Sequence, residues 1–379
     1  MNPPILRLDT MIEEVMVNGA IQSLRQGFTT GTTASAAAKA ALLALFTGNE
    51  QPEVEVPLPA GRRAVLPVLR IESIPGGVTA VVVKNGGDDP DATHGAEVVA
   101  TVRPHYDGIV LVGGQGVGRV TRAGLALPVG ADAINPVPQR MIRASAAEVL
   151  QRLDISQGAW VEIAMPDGQR IALDTWNPRV GIEGGLSILG STGIVRPYSL
   201  SAWRASVIQA IRVVAASGDD TLVLCPGVES RRAAVGLYPE LRPDVFIDIG
   251  GFLGEALSVI GRDLRIRRLC LVGMMGKMSK ISQGAMALSA RDSSINIEQL
   301  AQLAQDAGCD ARTVQIVREA HTARDVGVRV AKTSDRKRFF STLTQKVCQV
   351  IAERLVRPVH IEVLIMSPEG RVWGRETHE

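Results

Sequence analysis

The pattern of apolar and polar positions changes character along the chain. A long alanine- and leucine-rich run, ASAAAKAALLALF (34–46), predicts a helix. Shorter apolar runs follow: EVEVPL, AVLPVLRI, GVTAVVVK, AEVVATVRP and GIVLVGG. Each is bounded by Gly, Pro or Asp, as strands are. PVPQRMIRASAAEVLQRLD (136–154) has apolar residues at helical spacing and Pro at its start, which predicts a second helix. AWVEIAMPDGQRIALDTW reads as a hairpin turning at Asp167 and Gly168. Clustered strands with few helices point to an α+β fold for this half.

Residues 177–199, NPRVGIEGGLSILGSTGIVRPYS, are glycine-rich but too apolar and too varied for a flexible linker. The segment ends near Pro197, and the domain boundary is placed there: an α+β domain over 1–200 and a second domain over 201–379. In the second, TLVLCPG, DVFIDIGG and RRLCLVGMMG are apolar runs that end in glycine, each followed by a helix-like stretch. That rhythm predicts an α/β, Rossmann-like domain with a mainly parallel sheet. Two helices near 311–330 and 335–356 and a closing hairpin, VHIEVLIMSPEGRVWGRE, complete it.

Composition narrows the function. At 379 residues, 46% hydrophobic and 21% charged, the chain can bury an ordinary core. Aromatics make up 3% and the formal net charge is +2, without a long basic run, which argues against a nucleic-acid partner. No apolar stretch reaches the ~18 residues of a membrane span, and the first ten residues have no leader pattern. Cys225, Cys270, Cys309 and Cys348 are widely spaced, with no CxxC pair, so neither a zinc site nor a disulfide framework is suggested. A reducing, cytoplasmic setting fits.

Candidate chemistry gathers at three places. Gly27, Thr29, Thr30, Gly31, Thr32 and Thr33 crowd the mouth of the first helix. One hydroxyl suffices to cap the orphan N–H groups there, so the surplus suggests an anion or polar-ligand site, with capping as the alternative. The Walker pattern is not met, because Gly31 is followed by Thr32 and then mostly alanines, with Lys39 about two turns along the helix. Asp88, Asp89, Asp91 and His94 crowd into seven residues of KNGGDDPDATHGAE. A tight turn, a divalent-metal site and a polar loop that orients substrate or relays a proton all stay open. Arg119, Arg122, Arg140, Arg143 and Arg179 lie beside glycine-rich stretches and suit carboxylates; Lys277 and Lys280 add two more cations. In an open α/β sheet ligands sit beyond the carboxyl ends of the strands, here at Gly227, Gly250, Gly251, Gly273 and Gly276.

Five segments in order, GFTTGTTASAAAKAA, GGDDPDATHGAE, GGQGVGRVTRAGLALPVG, AINPVPQRMI and NPRVGIEGGLSILGSTGIVRPYS, resemble the cobalt-precorrin-5B C(1)-methyltransferases of cobalamin biosynthesis. CPG, GGFLGEAL and LVGMMGKMSKISQGAM extend the resemblance more loosely. The chain departs from the family at Thr33, where cysteine is usual, at Met274, where histidine is common, and at ALSARDSS. The resemblance implies methyl transfer from S-adenosyl-L-methionine to C-1 of a ring-contracted cobalt corrinoid, giving cobalt-precorrin-6A, with no protein-bound metal. Taken with the candidate residues, the expectation is a macrocycle held by the N-terminal domain, through Thr29–Thr33, the Asp88–His94 loop and Arg119, Arg122, Arg140 and Arg179. Asp88, Asp89 and His94 are then the catalytic candidates, and the C-terminal glycines hold the methyl donor. A small-molecule kinase with phosphate at the threonine-rich mouth, and a non-enzymatic corrinoid-binding protein, are the rival readings. The sequence does not decide between a monomer and a homo-oligomer.

Overall fold

A computed structural model of the chain describes residues 5–17 and 20–379. The chain divides into two compact units, residues 1–200 and 201–379.

The first unit opens with β1 (Ile5–Leu6) and a two-stranded hairpin, β2 (Ile12–Val17) and β3 (Ala20–Arg25), which the apolar pattern did not announce because β3 is mostly exposed. Then come β4 (Gly27–Phe28) and helix α1 (Thr30–Thr47). Helix α1 is buried along most of its length, from Thr30 to Ala44. Its alanines let two neighbours approach closely: α2 (Pro136–Arg152) on one side, and on the other the sheet strands β8 (Gly77–Val83) and β9 (Glu97–His105). Gly48, at φ +68°, ends the helix by donating its N–H to the Ala44 carbonyl.

The strands form two main sheets. β1, β6 (Arg63–Pro67) and β5 (Glu53–Pro57) make one; β10 (Ile109–Gly113), β12 (Gly158–Ala164), β9, β8 and β7 (Arg70–Ile74) make the other, in those orders. The run AVLPVLRI is therefore two strands in different sheets, divided after Pro67. In the larger sheet, alternation along β9 and most of β8 sends one face inward, though Val81 of the other face is buried too. Val78 pairs with Val102, Ala80 with Ala100 and Val82 with Val98, and all six are buried. Glu148 of α2 fastens the layers, accepting from Lys39 Nζ of α1 at 2.6 Å and from Arg63 of β6 at 3.0 and 2.8 Å. The Arg63 hydrogen bonds, with those of Lys39, hold its carboxyl down at about 2.

One expectation fails here. Residues 159–176 are not a hairpin: β12 pairs with β9 and β10, and the stretch beyond Asp167 is a short helix, α3 (Gly168–Ala172). Gly168 lies so close to the Gly116 backbone that a Cβ there would stand 2.1 Å from its carbonyl oxygen. Ile171 and Ala172 are buried at helical rather than alternating spacing. The first unit closes with β13 (Ile182–Glu183), paired to β11 (Arg119–Val120), and β14 (Ile194–Val195), paired to β4.

The second unit alternates: α4 (Leu200–Ala216), β15 (Thr221–Cys225), α5 (Val228–Leu237), β16 (Phe246–Asp248), α6 (Leu253–Arg262), β17 (Arg268–Met274), α7 (Met275–Ser282). After α8 (Ile297–Asp306), the expected helix over 311–330 is two, α9 (Ala311–Arg318) and α10 (Ala323–Val330). Thr322 starts the second by accepting from the Asp325 N–H at 3.1 Å. Then come α11 (Arg336–Ala352), β18 (His360–Met366) and β19 (Val372–His378).

The sheet runs β16-β15-β17-β18-β19; the first four strands are parallel and β19 is antiparallel to β18, forming the closing hairpin. α5 packs on β16, β15 and β17, while α7 and α11 pack towards β17, β18 and β19. Continuous buried runs such as Leu222–Cys225 and Ile361–Met366 follow from that cover. Among the described residues, no helix is long and apolar enough to cross a membrane.

Candidate active site

The threonine-rich mouth of α1 is built into the protein. Thr29 is the N-cap, its Oγ1 accepting from the Thr32 N–H at 3.3 Å. Thr32 Oγ1 donates to the Gly193 carbonyl at 2.7 Å, and Thr33 Oγ1 to the Thr29 carbonyl at 3.0 Å. Thr30 Oγ1 accepts from the Leu189 N–H at 2.9 Å and lies within reach of the Ser187 carbonyl. The Gly31 N–H, one of the helix's orphan donors, points at the Leu189 carbonyl at 3.0 Å. So the segment 187–193 occupies the helix mouth itself, and all four threonines are buried. Two glycines make the close packing around the mouth possible, Gly190 towards Thr29 and Gly31 towards α2. A Cβ on Gly190, whose φ is +133°, would stand 2.3 Å from Thr29 Oγ1, and one on Gly31 would stand 2.7 Å from Pro138. The surplus hydroxyls are clamps to this segment, and capping accounts for the rest.

The aspartate-rich loop adjoins the same mouth. The Phe28 N–H donates to the Asn85 carbonyl at 2.8 Å, and Gly27 is pressed against Gly86 and Gly87. The three carboxylates then receive different environments. Asp88 is fixed to Arg25 by its backbone N–H at 2.8 Å and by the guanidinium at 2.7 Å, and these bonds lower its pKa. Asp91 pairs with Lys84 Nζ at 2.8 Å and accepts from Thr93 N–H and Oγ1. Burial pushes the Asp91 carboxyl up, but the Lys84 ammonium and the Thr93 donors outweigh it and hold it below its usual value. Asp89 goes the other way. Burial raises it, the nearby Asp91 charge adds to that, and the Tyr198 N–H, 2.8 Å from Oδ1, only partly offsets them. Tyr198 is held at φ +55°, an uncommon conformation for a non-glycine residue. His94 is exposed, and its Nδ1 accepts from the Gly86 N–H at 3.2 Å, which leaves the proton of the neutral ring on Nε2. A loop with two anchored carboxylates and one raised carboxyl is suited to proton handling.

Lys84 is a site residue that the motif reading passed over. Its signal is positional: counting by twos from Val78, Ala80 and Val82 puts position 84 on the buried face.

Three of the arginines, Arg119, Arg122 and Arg179, lie along the same glycine-rich segment, nearer its start, and Arg140 and Arg143 lie on α2. Arg119 opens β11 opposite Glu183 and pairs with Asp132 at 3.2 Å. Arg122 lies along Gly181, where a Cβ would meet its side chain at 2.5 Å. Arg179 stacks over the Trp176 ring at 4.6 Å. Arg140 is exposed on α2, and Arg143 donates to the Ile109 carbonyl.

In the second unit the sheet order sets β16, β15 and β17 side by side, and their carboxyl ends carry Gly250, Gly227 and Gly276. The five glycines are not equivalent. A Cβ at Gly227 or Gly276 would meet nothing within 4 Å, so both are open. Gly250 takes φ +54° and abuts Trp203, Gly251 faces Ser289, and Gly273 is pressed on Met278; packing explains these three. Lys277 of α7 donates to the Pro226 carbonyl and, at 2.9 Å, to the Gly250 carbonyl, so it joins the turns after β15 and β16. Asp248 ends β16 with Oδ2 3.4 Å from Arg231 Nε. Among the described residues, no group of three His, Cys, Asp or Glu side chains could hold a metal ion.

The family model described as CbiD matches residues 17–197, and that of the CbiD C-terminal domain matches residues 287–377. A cobalt-precorrin-5B C(1)-methyltransferase of Geobacillus sp. (strain WCH70) is 45% identical over 355 residues, covering 93% of this chain and 97% of that one. The chain belongs to the CbiD family. Another relative of that name, from Salinispora arenicola, is 47% identical over 304 residues, 80% of this chain and 79% of its own. A crystal structure of the cobalamin biosynthesis protein cbiD from Archaeoglobus fulgidus is 29% identical, covers 69% of this chain and 80% of its own, and superposes with a TM-score of 0.39.

Placed in this CbiD chain, the departure at Thr33 is explicable. The side chain is fully buried and its hydroxyl returns to the helix backbone, so the position asks for a small group rather than a reactive one. In ALSARDSS the backbone carbonyls of Leu288 and Ser289 receive Lys280 Nζ at 3.3 and 3.1 Å. The matched CbiD segments stop at 197 and resume at 287, so the glycine-bearing strand ends lie between them.

Proposed function

We propose that this chain is an S-adenosyl-L-methionine-dependent methyltransferase that methylates C-1 of cobalt-precorrin-5B in cobalamin biosynthesis, giving cobalt-precorrin-6A, and that it acts in the cytoplasm. One observation carries the reading: 45% identity, spanning both units, with a relative of that name. The cobalt belongs to the substrate.

The first unit is assigned the macrocycle. Its peripheral carboxylates suit Arg119, Arg122, Arg140 and Arg179, while the threonine mouth serves as the rigid base on which the Asp88–His94 loop and the glycine-rich segment are mounted. Asp89 is the proton acceptor of the loop, since its neighbours Asp88 and Asp91 are already engaged. Asp88 holds the loop to β3, and His94 presents an N–H to bound substrate.

The second unit is assigned the methyl donor, as the Rossmann-like half of the enzyme. S-Adenosyl-L-methionine supplies an electrophilic methyl group when bound. The residues present fit it. The strand order reverses between β15 and β17, which is where ligands settle in open α/β sheets. Open glycines at 227 and 276 permit close backbone approach, and Gly250, Gly251 and Gly273 shape the turns behind them. Asp248, at the end of β16, stands where an acidic residue meets a ribose in dinucleotide folds. Alignment of donor and acceptor is the main demand of such a transfer, and it is worth several powers of ten.

The test is incubation with methyl-labelled S-adenosyl-L-methionine and the ring-contracted cobalt intermediate, followed by mass analysis of the pigment. One labelled methyl at C-1 is expected. Unlabelled pigment from folded protein refutes the reading.

A further inference from the structure

Two lysines stand beside the strand ends of the second unit in an unusual electrostatic position. Lys277 Nζ reaches back from the first turn of α7 to the carbonyls of Pro226 and Gly250. One turn later Lys280, 8% exposed, points at the carbonyls of Leu288 and Ser289. All four partners are neutral. Among the described residues neither ammonium has a carboxylate partner, although surface arginines of this unit such as Arg242, Arg265 and Arg318 each have one. Burial, and then the charge of Lys280, push the Lys277 pKa below that of an ordinary lysine. Buried charges are paired as a rule, because desolvation is costly unless an opposite charge offsets it. Two adjacent cations, Lys277 part-buried and Lys280 buried, held only by carbonyls are therefore complementary to an anion. The open side is defined as well: Gly276 precedes Lys277 and Gly227 follows Pro226, and both are unobstructed.

We infer that Lys277, supported by Lys280, binds the α-carboxylate of the methionine portion of the methyl donor. The inference rests on the reading that the second unit holds the donor. The amino-acid end of such a ligand has an anionic carboxylate beside a cationic ammonium. Lys277 has a third N–H beyond the two it gives to the Pro226 and Gly250 carbonyls, and it reads the carboxylate as a point charge on a flexible stem.

The experiment is calorimetric binding to the full chain, with S-adenosylhomocysteine, its α-carboxamide and 5′-methylthioadenosine, which lacks the amino-acid portion. Wild-type protein is expected to bind S-adenosylhomocysteine roughly 10- to 150-fold more tightly than the carboxamide, as a charge-assisted hydrogen bond provides. Lys277→Met is expected to remove most of that margin and leave 5′-methylthioadenosine affinity within about threefold, since truncating one contact spares interactions it does not share. The ligand comparison on wild-type protein stands even if the variant fails to fold. Equal affinity for the acid and the carboxamide overturns the inference while the donor reading survives. Loss of all three ligands in a folded Lys277→Met protein makes the lysine a latch between turns, and overturns it too. Wild-type protein that binds none of them removes the donor reading itself.

Discussion

The Lys84–Asp91 pair gives a quantitative test of how the aspartate loop is held. The Lys84 side chain is 1% exposed and Asp91 21%, with 2.8 Å between them. The two ends are unequally dependent. Asp91 keeps Thr93 N–H and Oγ1 if the lysine goes, and it also touches solvent. Lys84 Nζ has no other hydrogen-bond partner among the described residues. Asp91→Ala therefore strands a buried ammonium and should cost about 3–5 kcal/mol. Lys84→Met leaves a part-solvated carboxylate with two donors and should cost about 1–3 kcal/mol. The double variant should cost less than the sum, because both single changes break the same bond.

The pH dependence has a definite sign. Asp91 is held below its usual value in the folded protein, so its stabilisation is present above the unfolded carboxyl value of about 3.9 and is lost as pH falls through the folded one. Urea unfolding read by hydrogen exchange in peptides across residues 77–105 reports on the first unit separately from the second. An Asp91→Ala protein within about 0.5 kcal/mol of wild type, or one more stable than Lys84→Met, contradicts the argument.

Two further outcomes follow from the same geometry. Asp89→Asn should lower kcat by roughly 10²- to 10⁴-fold with S-adenosylhomocysteine affinity unchanged. Because burial raises Asp89, the acid limb of the wild-type kcat profile should lie above the ordinary aspartate value of about 3.9, with activity falling as pH drops through it; full activity in the Asn variant would exclude Asp89 as the base. Gly190→Ala forces a Cβ into Thr29 at a backbone angle that favours glycine, and should cost about 3 kcal/mol or more by thermal unfolding, whereas Gly227→Ala, with open space at its Cβ, should stay within about 0.5 kcal/mol.

Much of the architecture is written locally. Alternation in GVTAVVVK and AEVVATVRP, helical spacing in PVPQRMIRASAAEVL and the glycine-ended apolar runs of the second half each became the element their period implies. These depend on neighbours within a few residues, so the sequence alone determines them. The helix at Gly168–Ala172 does not, because its conformation answers to a backbone some fifty positions earlier, at Gly116.

The chemistry divides in the same way. Sequence alone concentrates threonines at a helix mouth and aspartates in a loop. Tertiary structure decides that the Thr30 hydroxyl is engaged by residues 157 and 159 positions away. It also gives Asp88 and Asp91 cations while leaving Asp89 raised, and it leaves Lys277 and Lys280 facing only carbonyls. The physical reason is that a side chain's type is covalent, whereas its partner and its solvation are supplied by segments distant in sequence.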